Sequence, residues 1–159
     1  MAFLLLLFVP AGLILAFAFA GHGFGTLGRV GLRSADRRVW LRSLAAILGA
    51  VAIALYTWGL LHVVGAVMSA ADGGADSAPI RSCRTPGWQE RTMANMITDY
   101  TVNYLPLQFV CETNDGGDYA TGAVPGYVNP AVLGFALAAV IARAGAPGAE
   151  RRTEKDPAV

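Results

Sequence analysis

The amino-acid sequence predicts an all-α membrane protein: three transmembrane helices, N-terminus out and C-terminus in, with a small disulfide-closed extracytoplasmic segment containing a β-hairpin. Three observations lead there. Charged residues make up 14% of the 159-residue chain, against about 25% in an ordinary globular domain. Asp, Glu, Lys and Arg are absent from Met1 to Gly28, from Ser43 to Ala71 and from Tyr119 to Ala142. Uncharged runs of that length mark spanning helices. The charges that remain are sorted by sign between the runs. A hydrophobic content of 55% excludes disorder, which combines few apolar residues with much charge. The net charge of +1 argues against a nucleic-acid partner, which calls for a strongly basic face.

The first span is expected over residues 1–22. Its Ala2–Ala20 stretch is nearly solid Leu, Phe, Val, Ile and Ala, and a helix of that length reaches about 28 Å, close to the hydrocarbon thickness. Pro10 removes one backbone hydrogen bond near its middle and predicts a kink. A secretory signal peptide is the competing reading, because Ala18-Phe19-Ala20 looks like a cleavage site. No basic residue precedes the apolar run, however, and Arg29, Arg33, Arg37, Arg38 and Arg42 follow it. That order favours an uncleaved helix with its N-terminus outside.

Residues 23–42 then form a basic cytoplasmic loop, where those five arginines face the single acid Asp36 for a net of +4. Lys and Arg in short loops set orientation, so these arginines are the topology-setting residues. They also attract anionic headgroups, worth about 1 kcal/mol for each well-placed arginine. Ser34 is the expected N-cap of a helix running through Trp40 into the second span. That span, 43–71, is longer than a bilayer needs, so part of it tilts or projects outward. Trp40 and Arg42 mark its cytoplasmic edge, and Tyr56, Trp58 and His62 approach the other.

The extracytoplasmic segment, 72–128, carries Arg81, Arg84 and Arg91 against seven acids, a net of −4. Cys83 and Cys111 both fall here and fit no C-x-x-C metal or redox motif. In an oxidising compartment they predict a disulfide, worth about 3–4 kcal/mol in the chain-entropy model. Asn114-Asp115-Gly116-Gly117-Asp118 offers side-chain oxygens but lacks the twelve-residue spread and closing Glu of a calcium loop. It reads as a hairpin turn. Tyr100–Cys111 reads as strand, which Pro106 makes an edge or breaks in two.

The third span is expected over 129–146, with Asn129 as N-cap and Pro130 opening the helix. Only thirteen residues, Pro130 to Ala142, precede Arg143, so spanning requires the Arg143 guanidinium to reach the headgroups. Residues 147–159 are the cytoplasmic tail.

Other patterns carry less. Gly23–Gly28 matches G-x-G-x-x-G, but it follows no strand and opens no βαβ unit, so a flexible interfacial turn is expected. His22 and His62 fall at opposite membrane faces, roughly 30 Å apart, and cannot share an ion within one chain. Small residues recur every fourth position: Gly12, Ala16, Ala20; Ala46, Ala50, Ala54; Gly134, Ala138, Ala142. Such faces let helices pack closely, within or between chains. Hydrolase, zincin and P-loop motifs are absent. The expectation is therefore a non-catalytic protein without cofactor or metal, partnered by the lipid bilayer and by other membrane or envelope proteins, and oligomeric where its helix faces pair. The alternatives are an oligomeric transporter or channel component lined by Thr57 and His62, or a receptor whose acidic outer loop binds a cation.

Arginine outnumbers lysine eleven to one, as in proteins from GC-rich genomes. The stretches Tyr104-Leu105-Pro106-Leu107-Gln108-Phe109-Val110-Cys111, Asp115-Gly116-Gly117 and Val124-Pro125-Gly126-Tyr127-Val128-Asn129-Pro130 resemble small uncharacterised integral membrane proteins of actinobacteria, streptomycetes in particular. The resemblance covers about a fifth of the chain. It implies the plasma membrane of such a bacterium and no activity.

Overall fold

The computed structural model describes residues 2–31, 35–71, 80–84 and 97–146. In chain order these form α1 (Ala2–Val30), α2 (Arg37–Ala71), a 3-10 turn (Arg81–Cys83), β1 (Ile97–Tyr104), β2 (Leu107–Thr113), β3 (Asp118–Ala120) and α3 (Val128–Ala144). Arg33, Ser34 and the tail 147–159 lie outside the described residues. Both α1 and α2 are long and apolar enough to cross a membrane, and α3 is a shorter apolar helix.

The first helix is longer than expected. It continues to Val30, so Gly23–Gly28 lie in helix and not in an interfacial turn. The helix ends where Gly31 takes φ +79° and its N–H bonds to Leu27 O at 3.0 Å. That left-handed residue satisfies an otherwise orphan carbonyl, and glycine adopts it without a Cβ penalty. The second helix likewise starts at Arg37, which leaves little of 23–42 as loop. The cap position goes to Asp36, whose carbonyl accepts the first helical bond from Trp40 N at 3.0 Å. Its carboxylate accepts the Arg37 N–H at 2.8 Å.

Helix α2 is the centre of the molecule, with α1 and α3 both packed on it. Leu5, Val9, Gly12, Ala16, Ala20 and Gly23 form the buried or half-buried side of α1. A Cβ on Gly12 would meet the Thr57 hydroxyl, and one on Gly23 would lie 2.8 Å from Ile47 Cγ1 and 3.1 Å from Ser43 O. Small residues thus set the close α1–α2 approach. Ala46 and Ala50 are buried, whereas Ala54 is exposed. Gly134 has open space where a Cβ would be, so the third small-residue stripe is not a continuous seam. The outer faces are apolar: Phe17 is 75%, Leu6 74% and Ile141 71% exposed.

The expected hairpin is a three-stranded antiparallel meander in the order β1-β2-β3. Pro106 breaks the first apolar stretch in two, at a tight turn containing a cis Leu105–Pro106 bond. The second turn is the Asn-Asp-Gly-Gly one, with Gly116 at φ +81° and the Asp115 carboxylate accepting the Gly117 N–H at 3.2 Å. Leu107, Phe109 and Cys111 alternate along β2 toward the core, and Tyr100 stacks on Phe109 at 5.0 Å.

The core unites these parts. Leu60, Val63, Ala66 and Val67 from the second half of α2 share one apolar cluster with Leu107, Phe109, Cys111 and Val128. Gly59 sits at the junction, where a Cβ would lie 2.7 Å from Leu107 Cδ2 and 2.9 Å from Val128 Cγ1. Gly59→Ala is expected to destabilise by about 1–3 kcal/mol, the usual cost of overpacking. Gly65, with nothing within 4 Å, supplies the control: Gly65→Ala should be neutral or stabilising by up to about 1 kcal/mol. Thermal unfolding in detergent measures both.

Candidate functional site

The structure brings polar and reactive groups together in two places, at the sheet end and at the arginine end of the helix bundle. The sheet end begins with the cysteines. Cys83 and Cys111 are disulfide-bonded with Cα atoms 6.0 Å apart, and both are fully buried. The bond ties the chain just after α2 to the central strand. Ser82 Oγ donates to Ala66 O at 2.7 Å, and Tyr119 Oη donates to Cys83 O at 2.7 Å. The 3-10 turn is thus fixed to α2 and to β3 as well.

The turn joining β1 to β2 is held by side chains of two helices. Tyr56 Oη donates to Tyr104 O at 2.9 Å. Asn129 accepts the Leu107 N–H at 3.0 Å and donates to Leu107 O at 3.1 Å. Asn129 is therefore not an N-cap. Tyr127 holds that position without a side-chain cap bond, and Pro130 falls inside the first turn, where a missing N–H costs nothing. Leu107 is fully buried, so its peptide groups need partners, and the Asn129 amide supplies both at once. Sequence reasoning gave Asn129 a role within its own helix, because an Asn before Pro is a cap signal and carries no sign of a distant strand.

The solvent face of the sheet is polar. Asp99, Thr101 and Asn103 alternate as exposed residues on β1, and the Thr101 hydroxyl donates to the Glu112 carboxylate on β2. Leu105 at the turn is 90% exposed.

At the arginine end, α1 and α3 splay over α2 and leave a groove of about 820 Å³. Arg42, Ala45, Ala46 and Gly49 form its floor; Ala18, Phe19 and His22 line one wall; Ala139, Val140 and Arg143 line the other. Among the described residues, none that lines the groove is acidic. The Nε atoms of Arg38 and Arg42 are buried and have no hydrogen-bond partner among the described residues. Sequence reasoning assigned Arg42 to topology and Arg143 to snorkelling. Their juxtaposition across two helices had no signal in the chain.

The remaining expected residues fall elsewhere. Arg29 lies in the last turn of α1, and Arg37 and Arg38 open α2. His22 is on the groove, whereas His62 meets Trp58 edge-on at 5.0 Å, about 30 Å along α2 from Arg42. Thr57 is buried in the α1–α2 seam, its hydroxyl donating to Ile53 O at 2.8 Å. Among the described residues, no group of three or more His, Cys, Asp or Glu could hold a metal ion. Comparison with known proteins found no matching family model, no matching curated protein and no matching solved structure.

Two outcomes check the sheet end. Asn129→Ala strands the buried Leu107 peptide groups and should cost about 1–3 kcal/mol. Asn129→Asp does not rescue it, since a carboxylate has no N–H for Leu107 O. Replacing Cys83 and Cys111 together by Ala should cost about 3–4 kcal/mol, read as a lower midpoint in chemical unfolding.

Proposed function

We propose that the chain is a non-catalytic plasma-membrane protein of three spans, N-terminus outside, that presents its disulfide-closed sheet to other membrane or envelope proteins. The observation that carries this reading is the double use of α2. Its second half lies in the same core as the sheet, so the sheet stands on the bundle in a fixed orientation.

The length of α3 supports three spans. Val128 approaches Gly59, and Arg143 shares the groove with Arg42. The short helix therefore covers the Arg42–Gly59 stretch of α2, about 26 Å at 1.5 Å per residue, which fits the hydrocarbon layer. Aromatic residues mark both borders of that stretch. Trp58 is 49% and Tyr127 57% exposed at one, and Trp40 is 43% exposed at the other. Trp and Tyr are enriched at membrane interfaces. On this reading Leu105, next to the Tyr104 carbonyl that Tyr56 holds, dips toward the lipid interface. The second half of α2 projects outward with the sheet, and the arginines of 29–42 lie in the cytoplasm.

The polar face of β1 and β2, with Asp99, Thr101 and Asn103, is the surface offered to a partner. The transporter alternative loses support because Thr57 is occupied inside this chain's own seam. The composition and the resemblance noted above favour an actinobacterial plasma membrane.

The native cysteines are bonded to each other, so single introduced thiols report topology. An impermeant maleimide should label Thr101→Cys in intact cells and Arg37→Cys only after permeabilisation. The reverse pattern overturns the orientation. For the role, a photocrosslinker at Thr101 should form protein adducts in native membranes, while one at the lipid-facing Leu137 should not. Absence of adducts at Thr101, together with solute flux in proteoliposomes, would sink the interaction reading in favour of transport.

A further inference from the structure

The arginine-end groove combines three features that nothing above uses. It is concave and of ligand size, since about 820 Å³ falls within the roughly 300–1,000 Å³ of small-molecule sites. Its walls are apolar along Ala18, Phe19, Gly49 and Ala139. Its lining holds two guanidiniums, Arg42 and Arg143, together with His22, and no acid among the described residues.

Two like charges line this groove, and among the described residues no carboxylate lines it with them. Arg42 shares the groove with Arg143 and lies one turn from Arg38 on α2, and among the described residues its buried Nε has no hydrogen-bond partner. An arginine fork matches the oxygens of a phosphate bidentately. An anion placed between the two would relieve the repulsion and satisfy the orphan donor. A free inorganic anion would leave most of the lining unused, because Ala18, Phe19, Ala45, Gly49, Ala139 and Val140 are apolar. A phosphodiester carrying hydrocarbon chains fits both parts. Basic pockets between spanning helices on the cytoplasmic side recognise anionic headgroups for the same reason.

We propose that this groove is a binding site for an anionic phospholipid, with the headgroup phosphate between Arg42 and Arg143 and one acyl chain along Phe19, Gly49 and Ala139. The site rests on the spanning reading, since only a membrane supplies such a ligand at that level of the bundle. It makes Arg42, read from the sequence as topology-setting, and Arg143, read as snorkelling, ligands of one molecule. His22 of α1 lines the same groove.

Native mass spectrometry of the full chain, released from mixed micelles holding phosphatidylglycerol and phosphatidylcholine in equal amounts, tests it. Phosphatidylglycerol adducts should dominate, and the Arg42→Gln/Arg143→Gln pair should reduce them by about tenfold or more, the scale expected for two arginines near an anionic lipid. Arg29→Gln/Arg37→Gln removes the same charge outside the groove and should leave them unchanged. Ala139→Trp keeps both guanidiniums but fills the channel, and should also abolish the adducts. Glycerol phosphate, the headgroup without chains, should not compete at concentrations where phosphatidylglycerol saturates. Equal adducts of the two lipids, equal losses in both arginine pairs, or competition by glycerol phosphate would overturn the site. Alkaline carbonate extraction separates the two claims: a chain released from membranes overturns the spanning reading and the site with it. A chain retained without selective adducts overturns the site alone.

Discussion

At Gly59 the backbone of α2 comes so close to Leu107 of β2 and Val128 of α3 that a single methyl group would collide with both. Three elements from distant parts of the chain meet there, and the rest of the architecture depends on that contact. Toward the arginine end, α2 is the floor on which α1 and α3 lie. Toward the sheet end, Leu60, Val63, Ala66 and Val67 serve as one wall of a core completed by β2. One helix thus belongs to two packing environments, and Gly59 is the point of transition. A larger residue would separate strand from helix and loosen the connection between the two halves.

Polar groups reinforce that junction. A hairpin end buried against helices leaves peptide N–H and C=O groups that must find partners. Tyr56 and Asn129 provide them from two different helices, at Tyr104 and Leu107. The disulfide fixes the opposite side of the same unit by joining Cys111 of β2 to the turn that follows α2. A sheet this small has too little apolar area to be stable alone. Here it borrows the face of a long helix, and covalent and hydrogen-bonded ties hold it in register.

Several expectations from the sequence hold in the structure for physical reasons that are local. The first two apolar runs form long helices and the third a shorter one, the Asn-Asp-Gly-Gly turn reverses the chain, and Pro106 interrupts a strand. Each follows from what a few neighbouring residues can do with their own backbone. The two cysteines pair, as an even count outside any metal motif suggests. The misreadings arose where a local signal was overridden by contact with another element. The glycines of Gly23–Gly28 suggested a turn, yet Gly23 is helical because α2 needs a close approach at Ser43 and Ile47. Asn129 resembled a cap, yet its amide is spent on Leu107. The strand content was underestimated because the pairing partner of Ile97–Tyr104 lies beyond a proline break.

By itself, then, the sequence determined the apolar helices, the turns, the disulfide and the sorting of charge, since runs of apolar residues and their punctuation act over short distances. Tertiary structure alone decided that α2 is shared between bundle and sheet, that Asn129 clamps a strand, and that Arg42 and Arg143 line one apolar groove. Those facts depend on which faces of separate elements meet. Periodicity along one helix records which side is apolar, and it carries no information about the partner that covers it.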